Sequence, residues 1–521
     1  MKGKPNFLVA DLETDPFGQR EKPQAFLSGV CDGKQTIQWW GASCVEALVE
    51  YFQTLPRDSY VFFHNGGRFD VYFLPWPPQA PKIIDGRIVS CRVGKVTVRD
   101  SYALMPFKLA DYRKTEIDYD KLTRSRREAH RAEIMQYHRD DLTATYELVA
   151  AFIQRYGLRL TAASTAIREL TKIHPVARKG ESHDAKFRPF YFGGRVQCFE
   201  VGALKGPWRA YDVNSMYPFV MSKYQHPIGA EYEFTTDLDR LVNDPRPGFA
   251  EIDAFAHGCF PLKDENGRLD FPIRAATYRV TLFELRQAIK LNAIEVRDVR
   301  AGYVSTENAS FQDFVQLYGR EKLDAKARGD RIGELFAKLI LNSSYGKFGA
   351  NPENYYDWRF ELEDAPFPQG WDIHEDWGWM LVLRRPSLFR DHSYHDVATA
   401  ASITGAARAE LMGAIAQAQR PIYCDTDSLI CHRLDAAIGP QLGQWKIEAE
   451  ADRAYIIARK TYALVKNNAL VKNASKGVNL QLRDYFDLAR GKDYVHHRDR
   501  PTFQKNGGAI FITRKVKGVS P

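Results

Sequence analysis

Apolar and polar positions change period several times along the chain. Within residues 6–40, "NFLVADLETD", "AFLSGVCDG" and "QTIQWWG" read as strands, and residues 43–55 suit a helix. "SYVFFHN" is a short apolar run suited to a buried strand, and "RIVSCRVGKVTVRDSY" alternates as a hairpin does. From Glu128 to Tyr156 a helical period runs almost unbroken. Strands closed by a long helix predict an α/β first domain ending near residue 160. Residues 161–207 are basic and rich in turn formers, and predict a linker. Residues 310–348 read as two helices joined near "ARGD", residues 351–392 as strands and loops rich in Trp and Pro, and residues 396–419 as a small-residue helix. "PIYCDTDSLI", residues 421–430, reads as strand, turn, strand.

A chain of 521 residues exceeds one ordinary core and suggests roughly three domains. Hydrophobic residues make up 44% and aromatics 13%, which places it among globular rather than disordered chains. The net charge of +8 suits a polyanionic partner without requiring one. Seven cysteines form no CxxC pair, so they read as reduced and structural, with no structural zinc site. The apolar start is too short for a signal peptide, and no run reaches the ~18 apolar residues of a membrane helix. A soluble intracellular protein with no membrane partner is expected.

The candidate chemistry lies in acids set within apolar runs. In "VADLETD", Asp11 and Glu13 are two apart on a strand and share a face. "HNGGRFD" puts His64, Asn65, Phe69 and Asp70 at the end of a buried strand. In "YHRDD", Tyr137 and Asp141 are four apart on the long helix. Singly, such pairs are usually solvated faces. Together, four carboxylates from three segments have the composition of a two-metal phosphodiester-hydrolysis site, with Mg²⁺ or Mn²⁺ as the ions such ligands favour.

A second constellation follows. "YDVNSMYP" sets Asp212 at a strand end with Ser215 and Tyr217 just beyond. In "KLILNSSYGKFG", Lys338, Asn342 and Tyr345 fall on one helical stripe, which suits a triphosphate and a base but equally suits core packing for Tyr345. "YCDTDS" adds Asp425 and Asp427; alone it reads as either a surface turn or a metal-binding carboxylate pair.

Three of these segments resemble the Exo I, Exo II and Exo III motifs of DnaQ-like 3′–5′ proofreading exonucleases. The next three, in order, resemble motifs A, B and C of family B DNA polymerases. "KTY" at 460–462 resembles their KxY motif and "YFGG" at 191–194 their YxGG motif. "ADLETDPF", "GRIV", "RDSYA", "RPFYFGGR" and Met216 in motif A are similar to the protein-primed subgroup, and to tectivirus-type replicases within it.

The resemblance implies an RNase H-like (DnaQ-like) exonuclease domain followed by a right-hand palm, fingers and thumb with two insertions, an α/β and α+β multidomain fold. The expected limits are exonuclease 1–160, linker 161–207, palm 208–264, insertion 265–309 contacting a priming protein, fingers 310–350, insertion 351–392 for processivity and strand displacement, palm 393–450 and thumb 451–521. It implies that Asp11, Glu13, Asp70 and Asp141 bind two metal ions, that Tyr137 orients water, and that Lys114 stabilises charge on the phosphate. His64, Asn65, Phe69, Ser101 and Tyr102 would contact the DNA end. In the second site Asp212, Asp427 and the Val213 carbonyl would hold two Mg²⁺ or Mn²⁺ ions, with Asp425 the weaker ligand. Ser215, Tyr217, Lys338, Asn342, Tyr345 and either Lys322 or Lys326 would take the dNTP, with Tyr217 excluding a 2′-hydroxyl. Lys460 and Tyr462 would bind the primer, and Tyr191, Gly193 and Gly194 the template. The partners implied are template and primer DNA, dNTPs and a terminal protein, the chain being a monomer that pairs with that protein at initiation in the cytoplasm of an infected cell. Two alternatives are a polymerase primed by nucleic acid or unprimed, and a nuclease whose polymerase half has become a DNA-binding module.

Overall fold

The computed structural model describes residues 6–16, 23–113, 116–177, 179–387, 395–475, 477–501 and 509–519. Its first seven strands form one mixed sheet, in which Phe7–Thr14, Tyr60–Phe63 and Val96–Asp100 run parallel at the centre. Alternation along Phe7–Thr14 decides its two faces. Leu8, Ala10 and Leu12 pack into a cluster with Leu48 and Phe52. Val9, Asp11 and Glu13 point the other way, toward the helix Arg131–Tyr156, which packs on the sheet through Leu142, Leu148 and Val149. Gly29, paired with Asp11 across the sheet, permits this approach: a Cβ there would stand 2.6 Å from the His138 ring.

The expected linker 161–207 is not turn-rich throughout. It carries the helices Ala162–Ile173 and Glu181–Phe187. Thr161 caps the first through the Ser164 amide, and Ala166, Ile167 and Leu170 bury its inner face. A serine stands where a capping box usually has Glu or Gln, which hid the start signal.

A second sheet of seven antiparallel strands spans most of the remaining chain. Its order is Ala469–Ser475, Thr461–Lys466, Trp445–Ala458, Gly202–Val213, Ser428–Cys431, Tyr423–Asp425 and Val196–Cys198. The expected boundaries at 207/208 and 450/451 therefore fall inside strands. The helix Val397–Gln417, rich in alanine and buried along most of its length, lies beneath it. The helices Gln312–Ala327 and Arg331–Ser343 form a pair that packs on the first domain's long helix, Phe336 meeting Phe152 edge-on at 5.5 Å.

Among the described residues there are also one four-stranded, one three-stranded and four two-stranded sheets. Tyr232–Thr235, Ile294–Ser305, Gly248–His257 and Ile273–Thr281 make a four-stranded antiparallel sheet, so the expected limit at 264/265 divides one structural unit. Tyr356–Leu362, Met380–Pro386 and Asp372–Asp376 make the three-stranded sheet, and its apolar face joins the first domain's core. Trp76 lies 4.8 Å from Phe360 and 5.9 Å from Trp377. This small sheet is thus part of what holds the first domain together. Met380→Ala, at a fully buried position of that shared core, is expected to cost about 2–3 kcal/mol. Thermal unfolding followed on a fragment-resolved probe, such as limited proteolysis within residues 79–100, checks it: cleavage there should start at lower temperature.

Candidate functional site

Two carboxylate clusters form, one per large sheet. In the first, Asp11 and Glu13 project from their strand, Asp70 opens the short helical turn Asp70–Phe73, and Tyr137 and Asp141 come from the long helix. Burial, then the charges of Asp70, Glu13 and Asp141, hold the Asp11 carboxyl well above its ordinary range. Burial with Asp141 and Asp70 pushes Glu13 up to about 8, and burial pushes Asp70 up to about 7. Burial and the charges of Asp141 and Glu13 raise the Tyr137 hydroxyl, which also hydrogen-bonds to Asp141. Asp70 is 4% exposed and its Oδ1 has no hydrogen-bond partner. Among the described residues no three His, Cys, Asp or Glu side chains form a closed metal-ligand group. The donor set nevertheless fits divalent ions: mutually repelling oxygens with at least one orphaned lone pair need positive charge.

Beside this cluster, His64 Nδ1 meets Ser101 Oγ at 3.0 Å and Nε2 meets the Phe107 carbonyl at 3.2 Å, and burial lowers the ring's pKa. Asn65 takes a left-handed conformation with φ 65°. Arg87 joins the remaining parts: it donates to Asn65 Oδ1 at 2.9 Å, pairs with buried Asp100, and lies 4.6 Å from the Tyr102 ring centre. Phe69 meets Phe73 edge-on, with ring centres 5.2 Å apart. Lys114 lies outside the described residues.

In the second cluster, Asp212 lies next to last in its strand, opposite Ser428, and the tight turn at Thr426, with φ 58°, presents Asp425 and Asp427. The Asp427 carbonyl accepts from the Val213 amide at 2.9 Å. Burial first, then Asp212, push the Asp427 carboxyl up to about 6. Asp425 is differently placed. Lys460 Nζ contacts both its oxygens, at 2.9 and 2.8 Å, and Tyr423 donates to it at 3.3 Å.

A cavity of about 790 Å³ opens over this cluster, lined by Asp212, Asp427, Tyr217, Lys322, Lys338 and Asn342 among others. Burial, then the charge of Lys338, lower the Lys322 ammonium against the opposing pull of Glu334. Lys326 is exposed and does not line the cavity. Tyr345 departs from the expected stripe. The helix ends at Ser343, and Tyr345 begins a short 3₁₀ turn instead, stacked on Tyr217 with ring centres 4.0 Å apart. Ser215 is left-handed at the start of the helix Met216–Lys223.

The "YFGG" loop abuts the acidic turn. A Cβ on Gly194 would stand 2.7 Å from Thr426 Oγ1, and the Thr426 amide donates to the Arg195 carbonyl at 2.7 Å. The Tyr191 ring packs where a Cβ on Gly349 would stand. Tyr462, on the strand Thr461–Lys466, packs on Tyr423 with ring centres 4.8 Å apart.

Residues 111–436 match the family described as DNA polymerase type B, organellar and viral. The chain is 36% identical over 549 aligned residues to the DNA-directed DNA polymerase of Enterobacteria phage PRD1, covering 98% of this chain and 97% of that one. The chain is a family B DNA polymerase. The DNA polymerase of Streptococcus phage Cp-1 is 24% identical, covering 70% of this chain and 68% of that one. Phi29 DNA polymerase complexed with primer-template DNA shares the fold with a TM-score of 0.74 at 18% identity, covering 98% of this polymerase and all of that chain.

This DNA-directed DNA polymerase also has residues beside the two clusters that were not singled out from the sequence. Arg87 contacts Asn65 and Asp100, Arg408 the Gly193 carbonyl, and Lys446 Asp212. Arg87 stands in "GRIV", read only as part of a hairpin and of the family resemblance, and the other two carried no signal.

Proposed function

We propose that this polymerase replicates a linear viral genome from a protein primer and proofreads its product with a separate 3′–5′ exonuclease site. The observation that carries the two-site reading is the pair of separated carboxylate clusters, each holding carboxyls that burial and neighbouring acids push above their ordinary range. The second adjoins a cavity lined by Lys322, Lys338 and Lys446.

Asp212, Asp425, Asp427 and the Val213 carbonyl would hold Mg²⁺ or Mn²⁺ in the polymerase site, and Asp11, Glu13, Asp70 and Asp141 in the exonuclease site. Bound there, two divalent ions per site would supply Lewis-acid charge to the attacking and leaving oxygens. In synthesis the primer 3′-oxygen bonds to the α-phosphorus of the dNTP and pyrophosphate leaves. Lys338 and Lys322, both lining the cavity, draw in the triphosphate. Tyr217, backed by Tyr345, presents a flat wall under the sugar that leaves no room for a 2′-hydroxyl. Asn342 borders the nascent base pair. Lys460 and Tyr462 hold the primer strand, and Tyr191, Gly193 and Gly194 the template. In degradation, Tyr137 orients a water toward the terminal phosphodiester, while His64, Asn65, Phe69, Ser101 and Tyr102 grip the DNA end and Lys114 meets the phosphate. The four-stranded unit 232–305, with Phe234 and Ile273 exposed on its edge strands, would contact the priming protein, and the sheet 356–386 would support processivity.

Two assays test the reading. Asp11→Ala with Glu13→Ala should lose degradation of single-stranded DNA and retain primer extension; joint loss of both activities in a folded protein would end the two-site reading. Label from an α-³²P dNTP should pass to a hydroxyl-bearing protein encoded with this gene. Start only from nucleic-acid primers would replace protein priming with the nucleic-acid-primed alternative.

A further inference from the structure

Lys446 lies directly opposite Asp212 on neighbouring antiparallel strands. Cross-strand partners of this kind project from one face, with Cβ atoms about 5 Å apart. Lys446 Nζ donates to Asp212 Oδ1 at 3.0 Å and to Glu448 Oε1 at 2.9 Å. Glu448 is held from its other side by Lys472. The ammonium is thus fixed at both ends, its stem by register and its head by two acids. Its side chain still keeps 45% of its surface open and lines the cavity that holds Lys322 and Lys338.

An exposed cross-strand pair of this type ordinarily contributes little, on the order of 1 kcal/mol or less. Its position gives this one a different consequence. A cation 3.0 Å from Asp212 Oδ1 stands where a divalent ion on that oxygen would stand, and two cations cannot share the place without strong repulsion. Glu448 offers the ammonium a second anchor once Asp212 is taken.

We propose that Lys446 is a built-in counter-ion that holds the metal position on Asp212 and is displaced when a divalent ion arrives with the triphosphate. It is a positioning residue acting through Asp212, and the proposal rests on the reading of Asp212 as a metal ligand. Free metal must compete with the lysine. Metal carried by a nucleotide has the help of Lys338 and Lys322, so loading of metal and nucleotide becomes coupled.

The test is Mn²⁺ titration of the full chain, with free Mn²⁺ read by electron paramagnetic resonance and without DNA or nucleotide. Asp11→Ala and Glu13→Ala are present throughout to remove competing ligands. Lys446→Met should bind Mn²⁺ about tenfold tighter than its parent, since one repelling charge is removed at contact distance. Lys446→Arg should bind as the parent does. Lys446→Gln, which keeps a hydrogen bond without the charge, should also tighten binding and serves if the methionine variant does not fold. A merely structural lysine predicts weaker binding, never tighter. Unchanged or weaker Mn²⁺ binding in both neutral variants overturns the proposal. Asp212→Asn separates the two ideas: if it leaves Mn²⁺ binding unchanged, the reading of Asp212 as a ligand fails; if it weakens binding while the lysine variants do nothing, the lysine proposal alone fails.

Discussion

Asp427→Asn is expected to abolish DNA synthesis, by on the order of 10³-fold or more. A loss of several kcal/mol of metal-borne charge stabilisation corresponds to that factor. The same change at Asp425 should cost less. The two acids share one turn, yet their surroundings differ. Asp425 already has Lys460 on both oxygens and the Tyr423 hydroxyl beside it. Asp427 faces Asp212 across the strands, and burial and that neighbour push its carboxyl up to about 6 from 3.8. It is the acid whose charge most needs an incoming cation. Single-turnover primer extension at saturating Mg²⁺ measures both variants, and hydrolysis of single-stranded DNA should persist in each. Asp425→Asn proving as damaging as Asp427→Asn would reverse this ranking. A pH dependence follows. The folded value lies above the unfolded one, so the metal-free protein loses stability as pH rises from about 4 to 6. A metal ligand must be deprotonated. Metal affinity at this site should therefore fall as pH drops below about 6, and that fall should be smaller in Asp427→Asn.

Why the acids could be read from sequence and their partners could not has a physical reason. Asp11 with Glu13, Tyr137 with Asp141, and Asp425 with Asp427 each lie within one strand, helix or turn, where period or a short spacing fixes relative direction. Lys446 meets Asp212 only because strands far apart in the chain pair in one register, and a single-residue slip would turn it to the other face. Tyr345 illustrates the opposite failure. Extending the helical period past "NSS" overlooked that serine and glycine are weak helix formers. The chain leaves the helix at Ser343, and the following turn brings the ring onto Tyr217. The unit 232–305 was divided in prediction because its strands carry no family motif, while their pairing is entirely non-local.

Arg408→Met is expected to destabilise the protein by about 3–5 kcal/mol, the usual result of leaving a buried charge without its partner. Against a total stability of roughly 5–15 kcal/mol, that is a large share. Arg408 and Glu284 have side chains only 2% and 0% exposed. Their pairing is bidentate, at 2.7 and 3.0 Å, and Glu284 also accepts from the Thr281 amide at 3.1 Å. The other edge of the guanidinium donates to the carbonyls of Phe192 and Gly193, at 2.6 and 2.9 Å. One side chain therefore ties the helix Leu282–Lys290 to the "YFGG" loop, whose Gly194 rests on Thr426 of the acidic turn. Stability and loop position can be separated. Arg408→Met with Glu284→Leu removes both charges and should recover most of the lost stability in chemical denaturation, because no buried ion is left unpaired. It cannot restore donors to the two loop carbonyls. Primer-template affinity and synthesis should stay reduced in the double variant, although its fold is secure. Recovery of both to the parent's level would mean that the loop keeps its place without Arg408. Persistent loss in a stable protein would make the arginine the link between the buried helix Val397–Gln417 and DNA binding at the "YFGG" loop.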